Sequence, residues 1–326
     1  MKRGLVIGKF YPPHRGHKFL IDTALRQVDH LDVIICVRPD QTIPGSVRGS
    51  WLRTMHPSAN VVEVADPGHD NDSHFWAEYT RKILGYAPDA VFTSEDYGDE
   101  YARFLGSIHI KVDPERRQVP ISGTKIRQNP LTHFEFLEPC VRAYFVKRVA
   151  IVGAESTGKT TLAQALADQY HTVWVPEYGR EYTEVNVGPE HFFDYQWRTE
   201  EFTHIAQRQT QMEDEMAEKA NRVLICDTDA LATAIWHERY MRIRSPDVEA
   251  IASARRYDLY LLTNNDIPFV QDGIRDGEHL REWMTRRFGE ELQHRPVQWV
   301  VLRGTHEQRM RTATVRIDRI LNGSCT

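Results

Sequence analysis

The chain has 326 residues, of which 41% are apolar and 27% charged, with a formal net charge of −5. That length and composition suit a globular protein of two ordinary domains, each burying its own core. They exclude a general nucleic-acid binder, which carries a basic excess, so any anion site has to be built locally from placed Arg, Lys and backbone N–H groups.

Met1-Lys2-Arg3 is followed only by Gly4-Leu5-Val6-Ile7, a strand rather than the core of a signal peptide. No apolar run approaches the ~20 residues of a membrane span. Cys36, Cys140, Cys226 and Cys325 are scattered, without a C-x-x-C pair. A disulfide framework or zinc site is not expected; reduced thiols in a cytoplasmic protein fit the pattern. Neither membrane insertion nor a nucleic-acid partner is expected.

Short apolar, β-branched runs alternate with helical stretches, the signature of α/β architecture with a parallel sheet and flanking helices in each domain. Strands are predicted at 4–7, 32–37, 61–65, 90–93 and 108–112, with helices between them, such as 18–28 and 74–84. A helix at 139–144 closes this half, and a fresh strand at 148–152 restarts the pattern without a Pro/Gly/Ser-rich linker. The boundary is placed at 145–147, giving domains 1–146 and 147–326. Further strands follow at 172–175, 223–226, 258–262 and 298–302. In the helix at 201–220, Phe202, Ile205, Met212 and Met216 form a core-facing stripe that Gln209 interrupts.

The first strand runs into Gly8-Lys9-Phe10-Tyr11-Pro12-Pro13-His14-Arg15-Gly16-His17. A loop that enters a helix after a parallel strand offers free N–H groups and the helix dipole to a phosphate. Gly8 and Gly16 permit tight turns and close backbone approach. His14 and His17 can point at one polyphosphate and donate hydrogen bonds as charge develops. The loop resembles the signature of the nucleotidyltransferase superfamily, which contains adenylyltransferases for NMN, phosphopantetheine and FMN and the class I aminoacyl-tRNA synthetases. That family's second signature is similar to Ile121-Ser122-Gly123-Thr124-Lys125-Ile126-Arg127. The resemblance implies that Gly8, Lys9, Phe10, Ser122, Thr124 and Lys125 bind ATP and NAD, with His14, His17 and Arg127 catalytic. Trp76, in Asp70-Asn71-Asp72-Ser73-His74-Phe75-Trp76, sits where NMN adenylyltransferases stack a Trp on nicotinamide, although a helix's core Trp would look the same. Arg48 resembles a phosphate-contacting Arg of that family, and Ser94-Glu95-Asp96-Tyr97-Gly98 the loop that flanks its nucleotide.

In the second half, Gly153-Ala154-Glu155-Ser156-Thr157-Gly158-Lys159-Thr160-Thr161 matches the P-loop, G-x-x-x-x-G-K-[ST], between a predicted strand and helix. Its backbone N–H groups cradle the β-phosphate, Lys159 bridges β and γ oxygens, and Thr160 holds Mg²⁺. Gly153, Ser156, Thr157, Gly158 and Thr161 complete the expected ATP site. Asp227 closes the strand 223–226, where P-loop enzymes carry the acid of the metal shell. Pro176-Glu177 resembles the segment of nucleoside kinases whose Glu takes the ribose hydroxyl proton; Glu177 is the first candidate base and Asp227 the second. Gln271-Asp272-Gly273-Ile274-Arg275-Asp276-Gly277 reads as a mobile lid, with Arg275 reaching the transferring phosphoryl group and Asp272 holding Arg275 or a ribose; an ordinary charged loop is the alternative. Residues 305–309 lie where such kinases cover adenine.

A histidine-loop adenylyltransferase followed by a P-loop kinase resembles the bacterial bifunctional NadR family along essentially the whole chain. The resemblance implies phosphorylation of nicotinamide riboside to NMN with ATP and Mg²⁺, then joining of NMN to AMP to give NAD and pyrophosphate. It leaves a homo-oligomer open. Enteric members also carry an N-terminal helix-turn-helix. With a strand beginning by Gly4 there is no room for one here, and no repressor role is expected. The alternatives are an FMN or phosphopantetheine adenylyltransferase fused to another small-molecule kinase, or a regulatory protein that binds NAD and ATP without turnover.

Overall fold

A computed structural model describes residues 1–70 and 72–323; Asn71 and Cys325 lie outside them. The chain divides into two compact units, Met1–Arg142 and Ala143–Thr326.

In the first unit, β1 (Arg3–Gly8), β2 (His30–Val37), β3 (Asn60–Ala65), β4 (Ala90–Thr93) and β5 (Ile108–Lys111) form one parallel sheet, ordered β3-β2-β1-β4-β5. The helices are α1 (Arg15–Leu25), α2 (Gly45–Met55), α3 (Ser73–Leu84), α4 (Gly98–Leu105) and α5 (Gly123–Gln128), with α6 (Pro139–Phe145) spanning the division. The inner strands carry apolar runs because helices cover both faces of the sheet, whereas the edge strands β3 and β5 are interrupted by Glu63 and His109. Leu5, Ile34 and Val91 pack on one face, and Val6, Val33 and Phe92 on the other. The chain winds outward from β1 to β3, then returns to β4. The crevice opens where that direction reverses, at the carboxyl ends of β1 and β4.

The second unit repeats the logic with another order. Its strands are β6 (Lys147–Val152), β7 (Trp174–Val175), β8 (Val223–Asp227), β9 (Leu259–Thr263) and β10 (Gln298–Leu302), all parallel, in the order β10-β9-β6-β8-β7. Its helices are α7 (Lys159–Gln169), α8 (Tyr178–Asn186), α9 (Thr199–Ala217), α10 (Ala230–Met241), α11 (Pro246–Ala254), α12 (Arg281–Gln293) and α13 (His306–Leu321). Helices α7 and α13 cover Val149, Ile151 and Ile225, while α9, α10 and α12 cover Ala150, Val152 and Tyr260. Central β6 delivers its loop between β8 and β9. Cys36 and Cys226 are buried thiols, and no helix among the described residues is long and apolar enough to cross a membrane.

Three local differences from the sequence expectation have physical causes. Helix α1 starts at Arg15 rather than 18 because the His14 ring caps it, accepting from the N–H groups of Gly16 and His17. Strand β7 is shorter than 172–175. The Thr172 hydroxyl itself crosses to the carbonyl of Val223 at 2.6 Å and accepts from the N–H of Asn221 at 2.8 Å, taking the place of the ladder. On α9, Phe202, Ile205 and Gln209 are buried, but the buried face continues through Glu213 and Ala217 while Met212 and Met216 stay partly exposed.

Glu213 can be wholly buried because its carboxylate receives the Tyr257 hydroxyl at 2.8 and 2.9 Å and pairs with Arg255 and Arg148 at 3.3 and 3.5 Å. Glu213→Ala strips the acceptor from these buried donors. It should cost about 2 kcal/mol of the C-terminal unit's stability, read as a lowered urea midpoint; an unchanged midpoint would show the cluster to be energetically idle.

Candidate active sites

A cavity of about 540 Å³ opens at the switch point of the first sheet. Its wall includes Gly8, Lys9, Phe10, His14, His17, Trp76, Ser122, Thr124 and Arg127, so most of the residues singled out in the sequence converge. Ser94, Glu95 and Tyr97 from the loop after β4 also line it.

His14 is the N-cap of α1: its Nδ1 lies 3.1 Å from the N–H of Gly16 and 3.4 Å from that of His17. The helix N–H groups expected to be open to phosphate are therefore taken by an imidazole. An Nδ1 that accepts leaves the neutral ring's proton on Nε2, so the ring relays the positive end of the helix as a single N–H donor. His17 stacks on His14 with centroids 3.7 Å apart, and its Nδ1 is buried without a partner. Burial, helped by the charge of Arg116, lowers His14 to about 4. Burial, His14 and Arg116 hold His17 well below the ordinary value. Both rings are neutral donors near neutral pH.

Ser122 caps α5, and from that helix Arg127 donates to the Tyr11 carbonyl at 2.5 Å and to the Thr124 hydroxyl at 3.1 Å. The guanidinium also sits 4.7 Å from the Tyr11 ring centroid, so the two signatures are stitched together. A Cβ on Gly123 would fall 2.9 Å from that same Tyr11 carbonyl, so glycine is required for this close approach.

Two of the sequence-derived residues do not reach the cavity. Arg48 is fully buried, donating to the Lys9 carbonyl and to Gln41. Its place is beneath the loop, where it fixes the Lys9 carbonyl. Lys125 is exposed and does not line the cavity. Trp76 occupies a position between the two alternatives the sequence allowed. It lines the cavity and packs against the core beside Ala77 and Tyr101, and its indole N–H donates to the His69 carbonyl at 2.9 Å, which fixes the ring plane. The sequence reading missed Arg116, which reaches the cavity from a turn held by the Asp113 carboxylate and pairs with Glu95 at 2.9 Å.

In the second unit a cavity of about 200 Å³ is lined by Ser156, Thr157, Gly158, Lys159, Thr160, Thr161, Glu177 and Arg275. Gly153 has φ 149°, and a Cβ there would meet the Thr263 hydroxyl at 2.3 Å; no other residue fits. Gly158, with φ 78°, starts α7 without a side-chain cap, so here the helix N–H groups stay open. Lys159 donates to the Ala154 carbonyl at 2.9 Å. Thr160 donates to Asp227 at 2.5 Å, and the other carboxylate oxygen of Asp227 is buried without a partner. Burial raises the Asp227 carboxyl, against Lys159 and the Thr160 bond. Glu177 begins α8, and burial, opposed by Lys159 and reinforced by Asp227, pushes it up to about 7.

Asp272 holds Arg275 at 3.2 Å within the segment expected to be a lid, and Arg180 of α8 at 2.8 Å, which ties that segment to the helix after β7. Arg309 is buried and donates to the Thr157 carbonyl at 2.6 Å, bracing the P-loop, while Thr305 caps α13. The sequence missed the aromatic wall of Trp197, Phe202, Trp236 and Tyr240. The pair Trp236 and Tyr240, one helical turn apart just after Asp227, was its only local signal. Gln209, which broke the stripe of α9, has a reason: its carbonyl holds the N–H of Tyr178 at 2.8 Å, and its amide nitrogen is buried unpartnered in a side chain that lines the cavity.

Residues 5–129 match a family model described as Cytidylyltransferase-like, and residues 148–309 one described as AAA domain. The chain is 33% identical over 296 residues to the "Trifunctional NAD biosynthesis/regulator protein NadR" of Escherichia coli (strain K12), which spans 83% of this chain and 71% of that protein. The protein of the same name from Salmonella typhimurium matches to the same extent. The chain is also 27% identical over 170 residues to a nicotinamide-nucleotide adenylyltransferase of Pyrobaculum neutrophilum, covering 48% of this chain and 92% of that one. Crystal structures of NadR protein in complex with NR, and with NAD and AMP-PNP, superpose with TM-scores of 0.76 and 0.74 at 21% identity. Each covers 100% of this chain and 97% of its own, so the fold is shared from end to end. The chain belongs to the NadR family.

Proposed function

We propose that this chain makes NAD in two steps, phosphorylating nicotinamide riboside to NMN with its C-terminal unit and adenylylating NMN with its N-terminal unit, in the cytoplasm. We take the two domains as 1–146 and 147–326, a boundary that keeps α6 whole and lies four residues beyond the division of the compact units at Arg142. The observation that carries the reading is that each unit holds its own phosphate cradle at its own sheet's switch point: the stacked His14 and His17 in one, the P-loop with Thr160 on Asp227 in the other.

In adenylyl transfer an NMN phosphate oxygen attacks the α-phosphorus of ATP, the bond to the β-phosphate breaks, and pyrophosphate leaves. The nucleophile is already ionised near neutral pH, so no base is required. His14, through Nε2–H, His17, Arg116 and Arg127 stabilise charge that builds on the phosphates, and Lys9, Phe10, Ser122 and Thr124 line the nucleotide's path. Arg48 acts from below by fixing the Lys9 carbonyl. The cationic nicotinamide ring stacks on Trp76, whose plane is preset by its bond to His69.

In the kinase the ribose hydroxyl attacks the γ-phosphorus and ADP leaves. Glu177 takes the hydroxyl proton, Lys159 and Arg275 hold the transferred group, and the aromatic wall takes the nicotinamide ring. Among the described residues no three acidic, His or Cys side chains gather to cage a metal. Mg²⁺ would instead be held by Thr160, Asp227 and the phosphates themselves, a fit supported by the unpartnered, buried Asp227 oxygen. When bound it neutralises charge on the β- and γ-phosphates.

Lys159→Ala should abolish phosphorylation of nicotinamide riboside and leave NMN-to-NAD conversion nearly intact. His17→Ala should do the reverse, lowering adenylyl transfer by ~10²–10³. Loss of both activities in either folded variant would refute two separate sites.

A base with a raised pKa is protonated, and so useless, below it. Kinase kcat should therefore fall as the pH drops through about 7. Glu177→Gln should lower kcat by ~10²–10⁴ and erase that acid limb. Persistence of the limb in the variant would move the base assignment to Asp227.

A further inference from the structure

The kinase chemistry leaves unused a buried cluster that borders its cavity. Arg239, on α10 between Trp236 and Tyr240, is 2% exposed. Its guanidinium donates to Glu155 at 2.9 Å and pairs with Asp276. Glu155 belongs to the P-loop, and its other oxygen accepts from the N–H of Gly277 at 2.8 Å. Asp276, next to Arg275, also accepts from the Tyr240 hydroxyl at 3.1 Å. The guanidinium lies 4.9 Å from the Trp236 ring centroid and 4.8 Å from that of Tyr240. One cation thus touches the phosphate loop, the segment carrying Arg275 and the aromatic wall.

The packing leaves no slack. A Cβ on Gly277 would lie 2.7 Å from Glu155 and 2.9 Å from Arg239. A buried ion cluster is a poor source of stability, since well-packed apolar groups of the same volume hold a fold as well. What it does provide is directional: charge-assisted bonds in a low dielectric weaken steeply when any partner shifts.

We infer that Arg239 is a positioning residue which, with Glu155 and Asp276, makes acceptor binding and ATP binding in the kinase unit mutually dependent. A ring settling on Trp236 and Tyr240 fixes the Tyr240 hydroxyl on Asp276 and so sets Arg275. A triphosphate on the P-loop fixes Glu155 and, through Arg239, the wall that receives the ring. By linkage each ligand tightens the other by the same factor. The inference rests on reading the aromatic cavity as the acceptor site.

The test is a grid of initial kinase rates with nicotinamide riboside and MgATP, using the full chain, since this turnover reports only the C-terminal site. In the unaltered protein, saturating MgATP should lower the KM for nicotinamide riboside at least about fivefold, the ordinary lower range of such coupling. In Asp276→Asn, which removes charge but keeps shape, the effect should shrink below about twofold. Adenylyl transfer by the same preparation should be unchanged, and kcat at saturation of both kinase substrates should stay near that of the unaltered protein, which controls for folding of the C-terminal unit. Arg239→Lys, a second variant that keeps the charge but not the fork, should behave alike. A merely structural role would lower the melting temperature or kcat and leave the ratio alone. If the unaltered protein does not phosphorylate nicotinamide riboside, the acceptor reading fails. If it does so without coupling, or if Asp276→Asn keeps the full coupling, the inference is overturned.

Discussion

A chain of net charge −5 that handles polyphosphates must make positive potential locally, and the first turn of a helix after a central parallel strand is where both units do it. The two solutions differ in one atom-level respect. At α7, Gly158 in a left-handed conformation leaves the helix N–H groups open, and the loop backbone itself faces the anion. At α1, the N–H groups of Gly16 and His17 are spent on the His14 ring, which turns its remaining N–H outward. The imidazole extends the reach of the helix end by the width of a ring. Much of the N-terminal site exists to hold that ring: His17 stacks on it, Arg127 ties its loop to α5, and Arg48 pins the loop from beneath.

The same dependence explains which parts of the sequence were legible. Parallel strands buried on both faces read as apolar runs, so all the expected strands are present, with β7 shortened by the Thr172 side chain. The P-loop was legible because glycine at 153 answers a steric and conformational demand that no other residue meets, and Gly158 takes the left-handed start of α7. Arg48 lies under the loop on the Lys9 carbonyl rather than on the cavity wall, a placement that charge alone does not reveal. Arg116 and the wall of Trp236 and Tyr240 were missed because their positions depend on tertiary packing, through the Asp113 turn and the seating of α10. Gln209 was visible only as a defect in a stripe; its meaning came from the cavity it lines.

Burial does chemical work in both sites, in opposite directions. It strips the proton from the histidines, making them neutral donors, and it raises Glu177 to about 7, where a carboxylate is basic enough to accept a hydroxyl proton. Each group is tuned by the same desolvation, and the sign of the shift follows from the charge it would otherwise carry.

The two phosphates of one product arrive by two chemistries. This is tested most directly by supplying nicotinamide riboside with ATP labelled separately at the α- and γ-phosphorus and locating the label in the dinucleotide by mass fragmentation. The γ-label should appear on the nicotinamide-side phosphate and the α-label on the adenosine-side phosphate, with unlabelled β-phosphorus leaving in pyrophosphate and ADP. A dinucleotide without γ-label, or α-label lost to pyrophosphate, would contradict that assignment.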